Sequence, residues 1–259
     1  MHSISRTLRI EAAPDVVFRF FTDTARWARW WGEGSAIDAR PGGKVVIRYP
    51  GGVEVAGEVI EVTPPQRLVF TYGYVSGKPM PARASRVTIV LSAEGSGTRL
   101  RLTHEYDDPA VLNQHVQGWR FQLSLFANAV AAEVFNGEAV TALVDAWFAA
   151  WAESDGATRR AAFAAIAEDE VVFRDPYSSL EGIDELNAHA GAAQRFMPGI
   201  RLTRRGSVRQ CQGLALADWV AAGSDGVVRM AGVNVYLLAP RGKIAAVTGV
   251  PASVPAANP

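Results

Sequence analysis

The sequence contains one cysteine, Cys211, and four histidines. A single cysteine excludes an intrachain disulfide and any zinc site built on cysteine pairs. His2, His104, His115 and His189 stand apart, with no HxxxH or HExxH spacing, so no metal is expected. An excess of either charge is also lacking. The 26 basic side chains are balanced by 26 acidic ones, so neither a nucleic acid nor an anionic membrane is expected as a partner. No apolar run approaches the roughly 18 residues of a membrane span. The opening MHSISRTLRIEAAPDVVF has no apolar stretch of signal-peptide length, so a cytoplasmic protein is expected. The glycine turns PGG and GSG lie between strand patterns, where no phosphate loop forms, and no GxSxG elbow marks a nucleophilic serine. No cofactor is expected.

Apolar residues are plentiful. They make up 49% of the 259 residues, enough for one or two packed domains. The first half is rich in strand patterns. Residues 3–10 alternate, two short helical patterns follow (APDVVFRFFTD and TARWARWW), and strands are expected near 44–49, 53–62, 67–74, 85–92 and 98–106. In TRLRLTHEY, Leu100, Leu102, His104 and Tyr106 share one face while Arg99, Arg101 and Glu105 share the other. In RLVFTYGY, Leu68, Phe70, Tyr72 and Tyr74 share a face. From about 111 to 134 the period changes. Leu112, Val116, Trp119, Leu123, Phe126 and Val130 recur every three or four residues, which predicts a one-sided helix lying across the inner face of the sheet.

Asn136–Gly137 ends that helix and sets a boundary, with domains expected at 1–135 and 136–250. The second half reads as a helix striped by Val140, Val144, Trp147, Phe148 and Trp151, then a second helix, a strand at 171–174 and a third helix near 183–196. Four strands follow, near 200–210, 214–222, 227–238 and 243–249, and predict a curved antiparallel sheet. Residues 251–259, rich in proline and alanine, are expected to be a flexible tail. Both halves are α+β.

The blocks APDVVFRFFTDTARWARWWGEG, DARPGGKVVI, GEVIEVTPPQRLVFTY, GTRLRLTHEY and QGW resemble the bacterial homologues of the heat-shock-protein-90 ATPase activator, in the SRPBCC or START-like superfamily. The resemblance spans roughly residues 3–135. It implies a helix-grip fold with a cavity between sheet and helix, and a small apolar or amphipathic ligand. The blocks VDAWFAAWAESDG, DEVVFRDPYSSLEG and GVNVYLLAPRGKIAAVTG resemble the SnoaL-like group of the nuclear transport factor 2 superfamily, over roughly 138–250. That resemblance implies a cone-shaped α+β barrel over a pocket, and it allows a homodimer through the outer sheet. Ketosteroid isomerases share this fold. Their base aspartate matches Asp175 in FRDP, their helix-borne tyrosine matches Trp147, and their protonated aspartate on a later strand matches Asn234.

Each candidate has a plainer reading. Asp175 is either a base facing a pocket or a turn residue before Pro176, paired with Arg174. Asn234, on one strand face with Val228, Met230, Gly232 and Tyr236, either meets a ligand or bonds a neighbouring backbone. Trp147 is explained by its helix stripe alone. Tyr177 either rims the pocket or faces solvent. His104 is a head-group anchor or a core histidine, and Tyr72, Tyr74 and Trp119 line the first cavity or fill it. Three functions are therefore open. The first is a binder of small apolar metabolites. The second is a cofactor-free isomerase, cyclase or hydratase with Asp175 as base and Asn234 at the developing oxyanion. The third is a chaperone regulator.

Overall fold

The computed structural model describes residues 2–253, apart from the side chains of residues 109–114. The chain divides between Glu133 and Val134 into two compact units, and each is α+β.

The first unit begins with β1 (His2–Ile10), α1 (Pro14–Thr22) and α2 (Thr24–Trp31). Pro14 opens α1, where its missing N–H removes no helical bond, and the Asp23 side chain caps α2 by accepting from Arg26 N at 2.9 Å. Six strands follow: β2 (Ala36–Ile37), β3 (Lys44–Arg48), β4 (Glu54–Thr63), β5 (Arg67–Tyr72), β6 (Ser85–Glu94) and β7 (Gly97–Tyr106). They form one sheet in the order β1-β7-β6-β5-β4-β3-β2, with neighbouring strands antiparallel. The alternation read from the sequence sets its faces. Leu100, Leu102, His104 and Tyr106 are buried, while Arg99 and Arg101 are exposed.

The helix α3 (Pro109–Val134) closes the unit. Trp119, Leu123, Phe126 and Val130 point inward, and Phe121 and Leu125 are exposed. Leu112, which belongs to the same sequence stripe, lies outside the described side chains. Phe126 stacks on Phe21 (4.6 Å, 17°) and meets the edges of Phe20 (6.0 Å) and Trp30 (5.0 Å), so α1 and α2 form the seat for the end of α3. Glu133 adds two ion pairs, to Arg26 (3.0 Å) and Arg29 (2.7 Å).

The second unit has three helices and six strands. These are α4 (Gly137–Ala152), α5 (Gly156–Ile166), β8 (Ala167–Asp175), β9 (Ser178–Glu181), α6 (Gly182–Phe196), β10 (Arg201–Cys211), β11 (Leu214–Ala222), β12 (Val228–Leu238) and β13 (Ile244–Ala252). Asn136 caps α4 and Asp155 caps α5 with side-chain oxygens. The sheet order is β10-β11-β12-β13-β8-β9. This departs from the expected antiparallel sheet at one place. β8 is made before the last four strands and is joined in parallel by β13, so the sheet is mixed. β8 also starts at Ala167, because Glu168, Asp169 and Glu170 extend it beyond its apolar run. The last strand reaches Ala252, with Pro251 opposite Gly232 and Ala252 opposite Ala231. The remainder of the expected tail, 254–259, lies outside the described residues.

Phe126 has no solvent exposure and touches three aromatic rings. Phe126→Ala is expected to lower stability by about 3–5 kcal/mol, read from the urea transition of the full chain. A loss below about 1 kcal/mol would mean that α3 does not depend on this contact.

Candidate functional site

Three adjacent strands of the second unit carry the polar pair. Asn234 on β12 stands opposite Gly249 on β13. Thr248 pairs with Arg174 on β8, which places Gly249 beside Asp175. Gly249 has no side chain, and the other two residues approach it closely from either side. A Cβ on Gly249 would lie 3.3 Å from Asn234 Oδ1 and 3.4 Å from Asp175 Cβ. The two residues singled out from the sequence thus flank one point.

Asp175 is half-buried. Its Oδ1 accepts from Tyr177 N at 2.8 Å and from Ser178 Oγ at 2.7 Å. The turn reading is therefore satisfied by one oxygen, and Oδ2 has no partner among the described residues. Arg174 is exposed and makes no ion pair with Asp175 among the described residues, so the arginine partner suggested by the sequence is not the one used.

Asn234 is 5% exposed, and its Nδ2 donates to Tyr236 Oη at 3.1 Å. Burial pushes the Tyr236 phenol far above its usual range, an effect that the Asn234 hydrogen bond partly offsets, so Tyr236 remains a neutral O–H donor. Trp147 is 1% exposed and has a packing role. It meets the edge of Tyr236 (6.0 Å, 88°), stacks on Phe173 (6.1 Å, 28°) and touches Phe163 (5.3 Å). Of the two readings of Tyr177, the structure shows a side chain facing solvent. At the tip of the β8–β9 turn it is 85% exposed, because Pro176 and the Asp175 turn direct it outward.

In the first unit the structure brings Tyr72, Tyr74, His104 and Trp119 together. Trp119 Nε1 donates to His104 Nδ1 at 2.9 Å, and Tyr106 Oη contacts the same nitrogen. Ser85 Oγ lies 2.8 Å from His104 Nε2 and donates to Tyr72 O at 2.8 Å. These directions fix the tautomer. Nδ1 accepts, so Nε2 carries the hydrogen and gives it to Ser85. Burial first, and His115 second, hold the His104 imidazole well below its ordinary value. Tyr74 Oη pairs with His115 Nε2 (3.0 Å) and Tyr72 Oη with Tyr49 Oη (3.0 Å). Both ring nitrogens of His104 are engaged by protein groups, as a core histidine requires. Sequence reasoning missed Ser85 and Tyr49. Strand parity with Val87 and Ile89 points Ser85 inward, whereas Tyr49, beside the PGG turn, gives no such signal.

Two surface hollows have other linings. One, about 410 Å³, lies on the outer sheet face among Ile60, Arg67, Arg86 and Glu105. The other, about 370 Å³, lies between α4 and β10 beside Asp145, Phe148, Arg201 and Arg204. Among the described residues no group of three or more His, Cys, Asp or Glu could hold a metal ion, and no helix is long and apolar enough to cross a membrane.

Residues 11–131 match the family described as Activator of Hsp90 ATPase homolog 1-like protein. The first unit resembles this family. Among solved structures, the chain is similar to a SnoaL-like family protein from Agrobacterium tumefaciens, with 24% identity over 45% of this chain and 99% of that one (TM-score 0.43). It is similar to CalU16 from Micromonospora echinospora, with 31% identity over 51% of this chain and 77% of that one (TM-score 0.42). It is also similar to the Aha1 dimer from Colwellia psychrerythraea, with 19% identity over 51% of this chain and 96% of that one (TM-score 0.41). No curated protein sequence matches the chain.

The neutral histidine of the activator-like unit makes its stability depend on pH. The unfolded chain protonates His104 near pH 6.5, whereas the folded unit keeps it neutral to lower pH. Its contribution is complete above that value and is lost as pH falls, because the unfolded state binds the extra proton. The stability gap between wild type and His104→Gln should narrow by about 1.4 kcal/mol per pH unit below 6.5. Urea titrations at pH 7.5 and 5.5 measure it, and an equal gap at both would rule out a neutral imidazole.

Proposed function

We propose that the second unit is a cofactor-free acid–base site that takes a proton from carbon beside a carbonyl group, in an isomerase, cyclase or hydratase. The observation that carries this reading is the position of Asp175 and Asn234 on either side of Gly249. Asp175 is the base, acting through Oδ2. Asn234 and Tyr236 are the polar groups opposite. One hydrogen bond joins them, from Asn234 Nδ2 to Tyr236 Oη, and Tyr236 keeps its own O–H proton for an enolate oxygen. A buried donor without an acceptor costs roughly 1–3 kcal/mol, so this pair favours a bound oxygen.

The SnoaL-like resemblance agrees with this reading. Val171, Phe173 and Trp147 are buried near these groups and suit a largely apolar substrate. We also propose that the domain boundary falls at residues 135–136, with an activator-like and a SnoaL-like domain on either side. A chaperone-directed role rests on the family description of residues 11–131 alone and adds nothing to the site.

The direct test is proton abstraction itself. Cyclohexanone in D2O exchanges its α-hydrogens slowly unaided, and the protein is expected to accelerate this exchange, followed by proton NMR. Asp175→Asn should reduce the acceleration by about 10²–10⁴-fold. Equal rates for wild type and Asp175→Asn would overturn the assignment of the base.

Gly249→Ala gives a second test. The added methyl group would occupy the point between the two residues at tighter than ordinary contact. Exchange should fall at least tenfold while stability changes by no more than about 1 kcal/mol. Full activity in Gly249→Ala would mean that the substrate does not use this gap.

A further inference from the structure

We infer that Ser178 and His189 are positioning residues that hold Asp175 by one carboxylate oxygen and present the other to the substrate. This rests on the reading of Asp175 as the base. The three side chains come from consecutive elements, Asp175 at the end of β8, Ser178 at the start of β9 and His189 on α6. They form a chain: Ser178 Oγ is 2.7 Å from Asp175 Oδ1 and 3.3 Å from His189 Nε2.

The chemistry fixes the direction of both bonds. An ionised carboxylate only accepts, so the single hydroxyl proton of Ser178 goes to Oδ1. The serine oxygen is then an acceptor, and the hydrogen between it and His189 belongs to Nε2. A turn alone does not require this. The backbone N–H of Tyr177 already closes the turn at Oδ1, and His189 lies eleven residues beyond Ser178 on a separate helix.

The histidine is itself fixed. Its ring lies against Phe173 (6.0 Å, 38°) and Trp151 (5.8 Å, 84°). On the same helix, Asn187 accepts from Arg159 Nε at 2.8 Å, which ties α6 to α5. Trp151 comes from α4 and Phe173 from β8, so both elements contribute aromatic rings around His189.

The consequence is a division of labour within one carboxylate. Oδ1 accepts from Tyr177 N and Ser178 Oγ and cannot swing. Oδ2, without a partner among the described residues, is the atom that takes the proton. In the forward step the substrate C–H bond breaks, an O–H bond forms at Oδ2, the C–H electron pair forms a carbon–carbon double bond, and the carbonyl π pair moves onto oxygen to give the enolate. The same oxygen returns the proton to a carbon of the substrate. Holding the reacting atom in one orientation through both transfers raises turnover without adding contacts to the substrate.

Two measurements test this. The first needs no substrate. Ring nitrogen-15 NMR of the full chain at pH 8.5, above the ordinary imidazole range, is expected to show His189 protonated at Nε2. That preference should be lost in Ser178→Ala and kept in Ser178→Thr, which retains the hydroxyl. An Nδ1–H tautomer in wild type, or no change in Ser178→Ala, overturns the chain. The second uses cyclohexanone exchange. His189→Phe keeps a ring between Phe173 and Trp151 and is expected to lower kcat about tenfold with KM unchanged. A rise in KM with kcat intact overturns the positioning role.

The outcomes separate this inference from the reading beneath it. Exchange that depends on Asp175 without the Nε2 signature removes the tether and leaves the base. The signature without any exchange leaves the tether and removes the base.

Discussion

A polar group taken out of water must find a partner or destabilise the fold, and the two units answer that constraint differently. In the first, His104 is enclosed by Trp119, Tyr106 and Ser85, and Ser85 passes its own proton to a backbone carbonyl. Each hydrogen-bonding atom of the imidazole has a protein partner, so the network fixes the packing of α3 on the sheet. In the second, Asn234 and Tyr236 share one hydrogen bond although both are buried. Tyr236 accepts in that bond, so its own O–H proton is not used by it. The proposed chemistry is placed in the second unit because this pair lies across β13 from Asp175.

This placement depends on strand order. Asp175 and Asn234 are 59 positions apart in sequence, yet one strand separates them in the sheet. That strand is β13, the last to be made, and it enters in parallel with β8. Asp175 and Asn234 are therefore brought to either side of one strand only when β13 has joined. The intervening position must also be small. Any side chain on Gly249 would fill the gap that the two flanking residues define.

Much of the fold was legible in the sequence, because alternation and helical stripes survive wherever one face is buried. TRLRLTHEY kept its parity, and Trp119, Phe126 and Val130 kept their stripe. What failed was short or polar. β9 is SSLE, without an apolar run, and the first residues of β8 are acidic, so neither carries a pattern that separates strand from loop. The parallel join of β13 to β8 was hidden for another reason, since pairing between distant strands leaves no mark on local periodicity. In the site, Asp175 and Asn234 stood out because a carboxylate and an amide are unusual at the end and in the middle of apolar strands. Ser178 and His189 did not, since a serine in a turn and a histidine on a helix are ordinary until the fold places them in contact.

Trp147 shows how one substitution can be compatible with the chemistry proposed. Trp147, on the first helix of this unit, has no hydroxyl to donate. In the structure Trp147 is part of the apolar wall, stacked on Phe173 and edge-on to Tyr236. The hydroxyl is on Tyr236 instead, carried by β12 and kept neutral by burial. A strand-borne phenol bonded to Asn234 has less freedom than one on a helix, because its backbone is held by strands on both sides. In the proposed site Tyr236 and Asp175 both belong to the sheet, one strand apart, while α4 supplies Trp147 and α6 supplies His189, which reaches Asp175 through Ser178.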